Sequence, residues 1–212
     1  MNKTEDNNTS IMLRLKESTK PLHDSTEQHQ FQGKLAHGKL TRERYIVYLE
    51  QLYLIHSTLA DYLEEKKNCG PIQTVVKQRH LSTEALTTDL KDLGKSPVEA
   101  RALTATKSFL DLLSRTKESC PTALLGALYV LEGSTHGAKY MAKNLREGMG
   151  FAQREASSYF DRYQENQMKF WLEFKKEMNE ESITGEEEEA TINIAKATFN
   201  AFIEIGNEIL EN

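Results

Sequence analysis

Leu128-Tyr129-Val130-Leu131-Glu132-Gly133-Ser134-Thr135-His136-Gly137-Ala138 sits inside an apolar run from Thr122 to Leu145 whose spacing predicts one long helix. Two glycines interrupt the quoted stretch. Each costs a helix roughly 0.5–1 kcal/mol relative to alanine. Gly133 and Gly137 are four residues apart and so share a helix face, leaving a strip without side chains. Such a strip admits close approach by something flat or bulky, either the backbone of another helix or a planar ligand. The stretch alone leaves both open.

Outward from it, the chain reads as helix nearly throughout. Tyr45, Leu49, Leu52, His56, Leu59 and Leu63 recur at steps of four and three, an amphipathic stripe. Ser96-Pro97-Val98-Glu99 predicts a helix start, with a capping serine and a proline at the first position. Pro121 predicts the opening of the glycine-bearing helix. Thr184-Gly185-Glu186-Glu187 predicts another start, followed by the stripe Ile192, Ala195, Phe199, Phe202, Gly206 and Ile209. Turn signals fall at Gly38, Gly70-Pro71, Gly94 and Gly148 to Gly150. The fold class expected is all-α, about seven or eight helices. A polar tail over residues 1–10 precedes one helical domain over residues 11–212.

The 212 residues suffice for one sizeable core. A net charge of −5 without a basic cluster argues against a nucleic-acid or anionic-membrane binder. No apolar run approaches the ~20 residues that span a bilayer. The N-terminus lacks the apolar centre of a signal peptide. Cys69 and Cys120 form no CxxC, and in a cytoplasmic protein both are expected as thiols, although spacing alone does not exclude a disulfide.

Lys16, Lys20, His23 and Glu27 follow one another at steps of four, three and four, one face of a continuous helix. Neutral imidazole ligates iron, and a carboxylate beside it fixes the tautomer by accepting the other N–H. Histidine at the metal with ammonium groups toward propionates is the arrangement haem requires. The plainer alternative is a solvated face, and Pro21 threatens the alignment of Lys16. Read as the opposite wall, Gly133 and Gly137 would pack on the porphyrin and leave room for O₂. The Ser134 hydroxyl would support ordered water there, unless Ser134 and Thr135 simply bond a helix carbonyl. Glu132 and His136 make at most half a metal site. HExxH, P-loop and GxSxG patterns do not occur, and neither cysteine has an activating neighbour. His29, His37 and His80 are expected at the surface, and His56 in the core.

These residues together resemble the haem oxygenase family. Leu15 through Glu27 is similar to the family's proximal helix, with its ligand histidine and the glutamate four residues later. Gly38 through Tyr53 resembles the segment that follows. Leu131-Glu132-Gly133-Ser134-Thr135-His136-Gly137-Ala138 resembles the distal helix in its bacterial Gly-Ser form. The similarity runs from about residue 13 to 210, more loosely over the two C-terminal helices. It implies a helical fold that sandwiches haem, and O₂- and electron-dependent cleavage of haem to biliverdin, iron and carbon monoxide. Haem would be both cofactor and substrate, with an external electron donor, a reductase or ferredoxin, as partner.

By the same resemblance His23 would be the iron ligand and Glu27 its partner. Lys16, Lys20 and Lys175 would face the propionates. Gly133 and Gly137 would form the distal wall with Ser134 beside the water network, and Tyr129 would reach the haem edge. A neutral histidine pushes less electron density onto the O–O bond than a thiolate, which suits attack on the ring. Three residues depart from the family pattern: Ser134 stands where many relatives have aspartate, His56 where animal members have tyrosine, and His136 on the distal wall. An inward His136 would be a second axial ligand; it is expected outward, since otherwise it would fill the space the glycines clear. Two further readings stay open: a haem sensor or carrier with six-coordinate iron, and a haem-independent protein of the same fold.

Overall fold

The computed structural model describes residues 10–152 and 155–211, the side chains of residues 138 and 139 excepted. Of the expected tail, residues 1–9 lie outside the described residues, whereas Ser10 caps α1 (Ile11–Gln28), its Oγ accepting from the Leu13 N–H at 3.4 Å. Pro21 lies within α1 without ending it. Ile11, Met12, Leu15 and Thr19 turn inward. His29 closes α1 and caps α2 (Gln30–Ala36), where its Nδ1 accepts from the Phe31 N–H at 3.3 Å. α3 (Arg42–Glu65), capped by Thr41, buries the whole predicted stripe from Tyr45 to Leu63.

Short helices α4 (Gly70–Val75) and α5 (Gln78–Leu81) lead to α6 (Glu84–Asp92) and α7 (Thr104–Ser119). Then come α8 (Leu124–Gly133), α9 (Thr135–Met149), α10 (Gln167–Glu180) and α11 (Gly185–Glu211). Eight of these have nine residues or more, against the seven or eight expected; α2, α4 and α5, at seven, six and four residues, are too short for a period to register.

Two boundaries differ from expectation. Ser96 starts only a 3₁₀ turn over Pro97–Glu99. The Gln51 side chain donates to the Arg101 carbonyl at 3.2 Å and accepts from the Leu103 N–H at 2.9 Å, which holds that strand of chain extended. α7 therefore begins at Thr104, where the Glu208 carboxylate accepts from the N–H groups of Thr104 and Ala105, both at 3.0 Å. The long run from Thr122 is also divided, at Ser134, between α8 and α9.

α8 is apolar on every side and lies at the centre, as such a helix must. α11 packs along it closely: a Cβ on Gly126 would stand 2.0 Å from the Thr191 carbonyl oxygen. Gly148, expected in a turn, lies inside α9, and a Cβ there would meet the Gly38 carbonyl oxygen at 2.6 Å. Gly150, at φ +71°, ends that helix. One connected set of buried side chains runs from Ile11 to Ile209. Cys69 and Cys120 are free.

His80 corrects the sequence reading. It is buried, its Nδ1 accepting from the Lys77 N–H at 3.1 Å and its ring edge-on to Phe174. His56 is buried as expected, with Nε2 2.8 Å from the Tyr159 hydroxyl. Burial lowers both imidazoles from 6.5 to about 3. Unfolded, each takes up a proton below about 6.5, so folding stability falls as pH drops from there toward 3, by about 1.4 kcal/mol per pH unit per histidine. Asp89, raised by burial from 3.8 to about 6, acts the other way between those values, because its folded carboxyl keeps a proton the unfolded one releases. Two histidines outweigh one aspartate. The urea midpoint should therefore be lower at pH 5 than at pH 7, and His56→Gln should reduce the difference; an equal or higher midpoint at pH 5 contradicts the assignment.

Candidate functional site

Because Pro21 leaves α1 continuous, Lys16, Lys20, His23 and Glu27 keep one face, all exposed. The His23 side chain is 53% exposed, with Nδ1 3.6 Å from Asp24 Oδ1 and Nε2 3.8 Å from Glu27 Oε1. Whichever ring nitrogen takes a metal, the other has a carboxylate within reach to hold its proton. Asp24 is an addition to the set, signalled only by its adjacency to His23. It draws Lys20 aside: Nζ lies 2.9 Å from Asp24 Oδ2, and that bond is the main reason Lys20 is raised and Asp24 lowered. Lys16 makes no salt bridge among the described residues. The edge of Phe199, from α11, closes on the imidazole with ring centroids 5.9 Å apart.

The glycine strip is the decisive contrast. Gly126, Gly38 and Gly148 each press on another segment's backbone. Gly137 has nothing within 4 Å of where a Cβ would stand, and Gly133 has only the far edge of the Trp171 ring at 3.7 Å. Helix packing thus explains Gly126, while the strip itself faces space and one aromatic side chain. Ser134 donates to the Leu131 carbonyl at 2.8 Å and Thr135 to the Glu132 carbonyl at 2.7 Å. Ser134 therefore keeps only its lone pairs for water.

α10 sets the two walls against each other. Asn179 Oδ1 accepts from the Met12 N–H at the start of α1. Two turns earlier on α10, Trp171 lies beside Tyr129 and Gly133, and at the start of α10 Gln167 meets Thr135 and His136. Tyr129 is hydrogen-bonded to Thr19 of α1. α1 and α8–α9 thus both run against α10, and His23 and Gly133, each one turn past the Thr19–Tyr129 bridge, come to the same level. Tyr129 and Trp171 stand side by side there, with ring centroids 6.1 Å apart. Trp171, the only tryptophan, was missed by the sequence reading, and its uniqueness was the available signal.

His136 turns toward α10. Its Nδ1 is 2.9 Å from Gln167 Nε2, its ring stands edge-on to Trp171 at 5.0 Å, and it is bonded to the Gly133 carbonyl. Burial lowers its pKa against that bond, and the nearby Lys175 ammonium acts with burial. Lys175 is half-buried and makes no salt bridge among the described residues. Behind the wall, buried Glu132 accepts from the Tyr163 hydroxyl at 2.8 Å and from Arg162 Nη2 at 3.3 Å, while Arg162 also donates to the Leu131 carbonyl at 3.1 Å. The rings of Tyr159 and Tyr163 hold that guanidinium at 4.8 and 4.9 Å. This brace fixes the chain at the α8–α9 break.

The family model described as "Heme oxygenase" matches residues 9–208. The chain belongs to the haem oxygenase family. Its fold is similar to haem oxygenase-1 of the cyanobacterium Synechocystis in complex with haem, at TM-score 0.88 and 18% identity over 96% of this chain and 94% of that one. It is similar also to the haem oxygenase of Leptospira interrogans, at TM-score 0.87 and 20% identity over 94% of this chain and all of that one. A TenA homologue from P. horikoshii shares the architecture at TM-score 0.72 and 14% identity, over 96% of this chain and 99% of that one, so the fold hosts more than one kind of protein. No curated protein matches the chain. Within this haem oxygenase family member, no described helix is long and apolar enough to cross a membrane.

Proposed function

We propose that the protein is a haem oxygenase, binding haem between α1 and the α8–α9 wall and cleaving it to biliverdin, ferrous iron and carbon monoxide. The observation that carries this reading is the Gly133–Gly137 strip, on which no helix backbone packs: a Cβ at Gly137 would meet nothing within 4 Å and one at Gly133 only the edge of Trp171. The donor set fits haem: one neutral-type nitrogen ligand, carboxylates for its second nitrogen, and cations at the rim. When bound, haem supplies the iron that activates O₂ and is itself the ring that is opened, with electrons from a separate reductase or ferredoxin.

In this assignment His23 would be the iron ligand, and Glu27 or Asp24 would hold its remaining N–H and so its ring plane. Lys16 and Lys175 meet the propionates; Lys20 joins them by leaving Asp24, an exposed pair worth little in water. Gly133 and Gly137 let the distal backbone approach the macrocycle. Ser134, whose hydroxyl proton is taken by the Leu131 carbonyl, would offer its lone pairs to water there, and the strip itself carries no carboxylic acid. Tyr129 and Trp171 would offer the macrocycle an aromatic flank. The turn of His136 onto Gln167 favours an oxygenase over a six-coordinate carrier.

Hemin titration tests this reading. One equivalent should give a saturable Soret band and quench the fluorescence of Trp171, which flanks the cleft. A linear, unsaturating band with unchanged emission would place the reading in error.

A further inference from the structure

We propose that Gln167 is a positioning residue that parks the His136 imidazole against α10 and so keeps the distal face free for O₂. The inference rests on the haem reading above. His136 lies three residues beyond Gly133 and directly before Gly137, on the wall those glycines form. It carries the same kind of nitrogen donor as His23, and a second imidazole over the iron would occupy the position O₂ needs. A sequence that clears its distal wall with two glycines and then sets a histidine between them needs something to hold that ring aside.

The structure supplies the holder. Gln167 Nε2 lies 2.9 Å from His136 Nδ1, and the ring is bonded to the Gly133 carbonyl as well. The Trp171 edge contact, with planes at 80°, limits rotation from the other side. Gln167 is itself fixed, because its amide also donates to Thr135 Oγ1 at 3.1 Å while Thr135 donates onward to the Glu132 carbonyl. The brace of Arg162 on the Leu131 carbonyl keeps the backbone of that turn in place. To reach the iron, His136 would have to leave the amide, the carbonyl and the indole together. Removing the amide removes the one side-chain hydrogen bond among them.

The test compares ferric hemin complexes of the wild type, Gln167→Leu, Gln167→Glu and the double variant Gln167→Leu with His136→Ala. Absorption and electron paramagnetic resonance give the spin state, and turnover is measured beside them. The wild type should be high-spin. Gln167→Leu should shift to a low-spin, two-imidazole spectrum and lose turnover. The double variant should return to high spin and regain turnover, which a merely structural role for Gln167 would not produce. Gln167→Glu, which can still bond the ring, should stay high-spin. Gln167 begins α10 and is half-buried, so Gln167→Ala offers the same readout if leucine disturbs folding. A high-spin Gln167→Leu complex overturns the proposal, as does low spin that persists without His136 or a wild type already ligated by it. A wild type that forms no Soret complex instead overturns the haem reading itself.

Discussion

His23→Ala is expected to abolish haem degradation, by at least about a hundredfold or about 2.7 kcal/mol in the barrier, while the fold stays intact. The His23 side chain is half exposed and its polar partners, Asp24 and Glu27, are surface carboxylates, so its removal should change stability by no more than about 0.5 kcal/mol, the usual range at such sites. Hemin should still enter the cleft, held by its apolar walls and rim cations, but with an altered spectrum. Free imidazole added to the variant should restore part of the turnover, because the α1 face leaves room for it. Unchanged activity in His23→Ala would remove His23 from the iron. Stability lost in step with activity would make its role structural.

The second large effect separates the two kinds of glycine in the central helices. Gly126→Ala drives a Cβ to within 2.0 Å of the Thr191 carbonyl oxygen and 2.9 Å of the Ala195 nitrogen, both backbone. Overpacking of this kind costs typically about 1–3 kcal/mol and sometimes more, and here neither helix can yield locally. A loss near the upper end lowers the melting temperature by about 6–12 °C in a chain of this size. Gly137→Ala meets nothing within 4 Å and should gain about 0.5–1 kcal/mol from helix propensity. Gly137→Leu should keep the fold and lose haem turnover. Thermal melts beside hemin titrations check both. If Gly137→Ala were as damaging as Gly126→Ala, the strip would be a packing surface.

That division marks where sequence reasoning succeeded and where it stopped. The glycine pair was visible by its cost to a helix, and the α1 constellation by its spacing, since both are local properties of the chain. Periodicity found the long helices for the same reason. What spacing could not decide was whether the bare strip met a backbone or a space, because that depends on where α11 and α10 lie. α11 meets α8 at Gly126, one glycine earlier in the same run and without a partner at the same spacing to advertise it. The division of the run at Ser134 was hidden too, since the residues around it are compatible with helix and the brace comes from Arg162, Tyr163 and Gln167, some thirty positions away. His80 was misplaced because a polar residue in a short helix gives no pattern, and its burial follows from the packing of α10 through Phe174. Ser96 failed as a helix start because Gln51, on another helix, claims the backbone that would have continued it.

The most direct measurement is aerobic turnover of the hemin-reconstituted protein with an external reductant, followed by absorption with product analysis. The expected result is loss of the Soret band with stoichiometric biliverdin and carbon monoxide, none of it formed without O₂. A Soret band that persists under O₂ and reductant, or bleaches without biliverdin, would contradict the claim that His23 and the Gly133–Gly137 wall together make a haem-cleaving site.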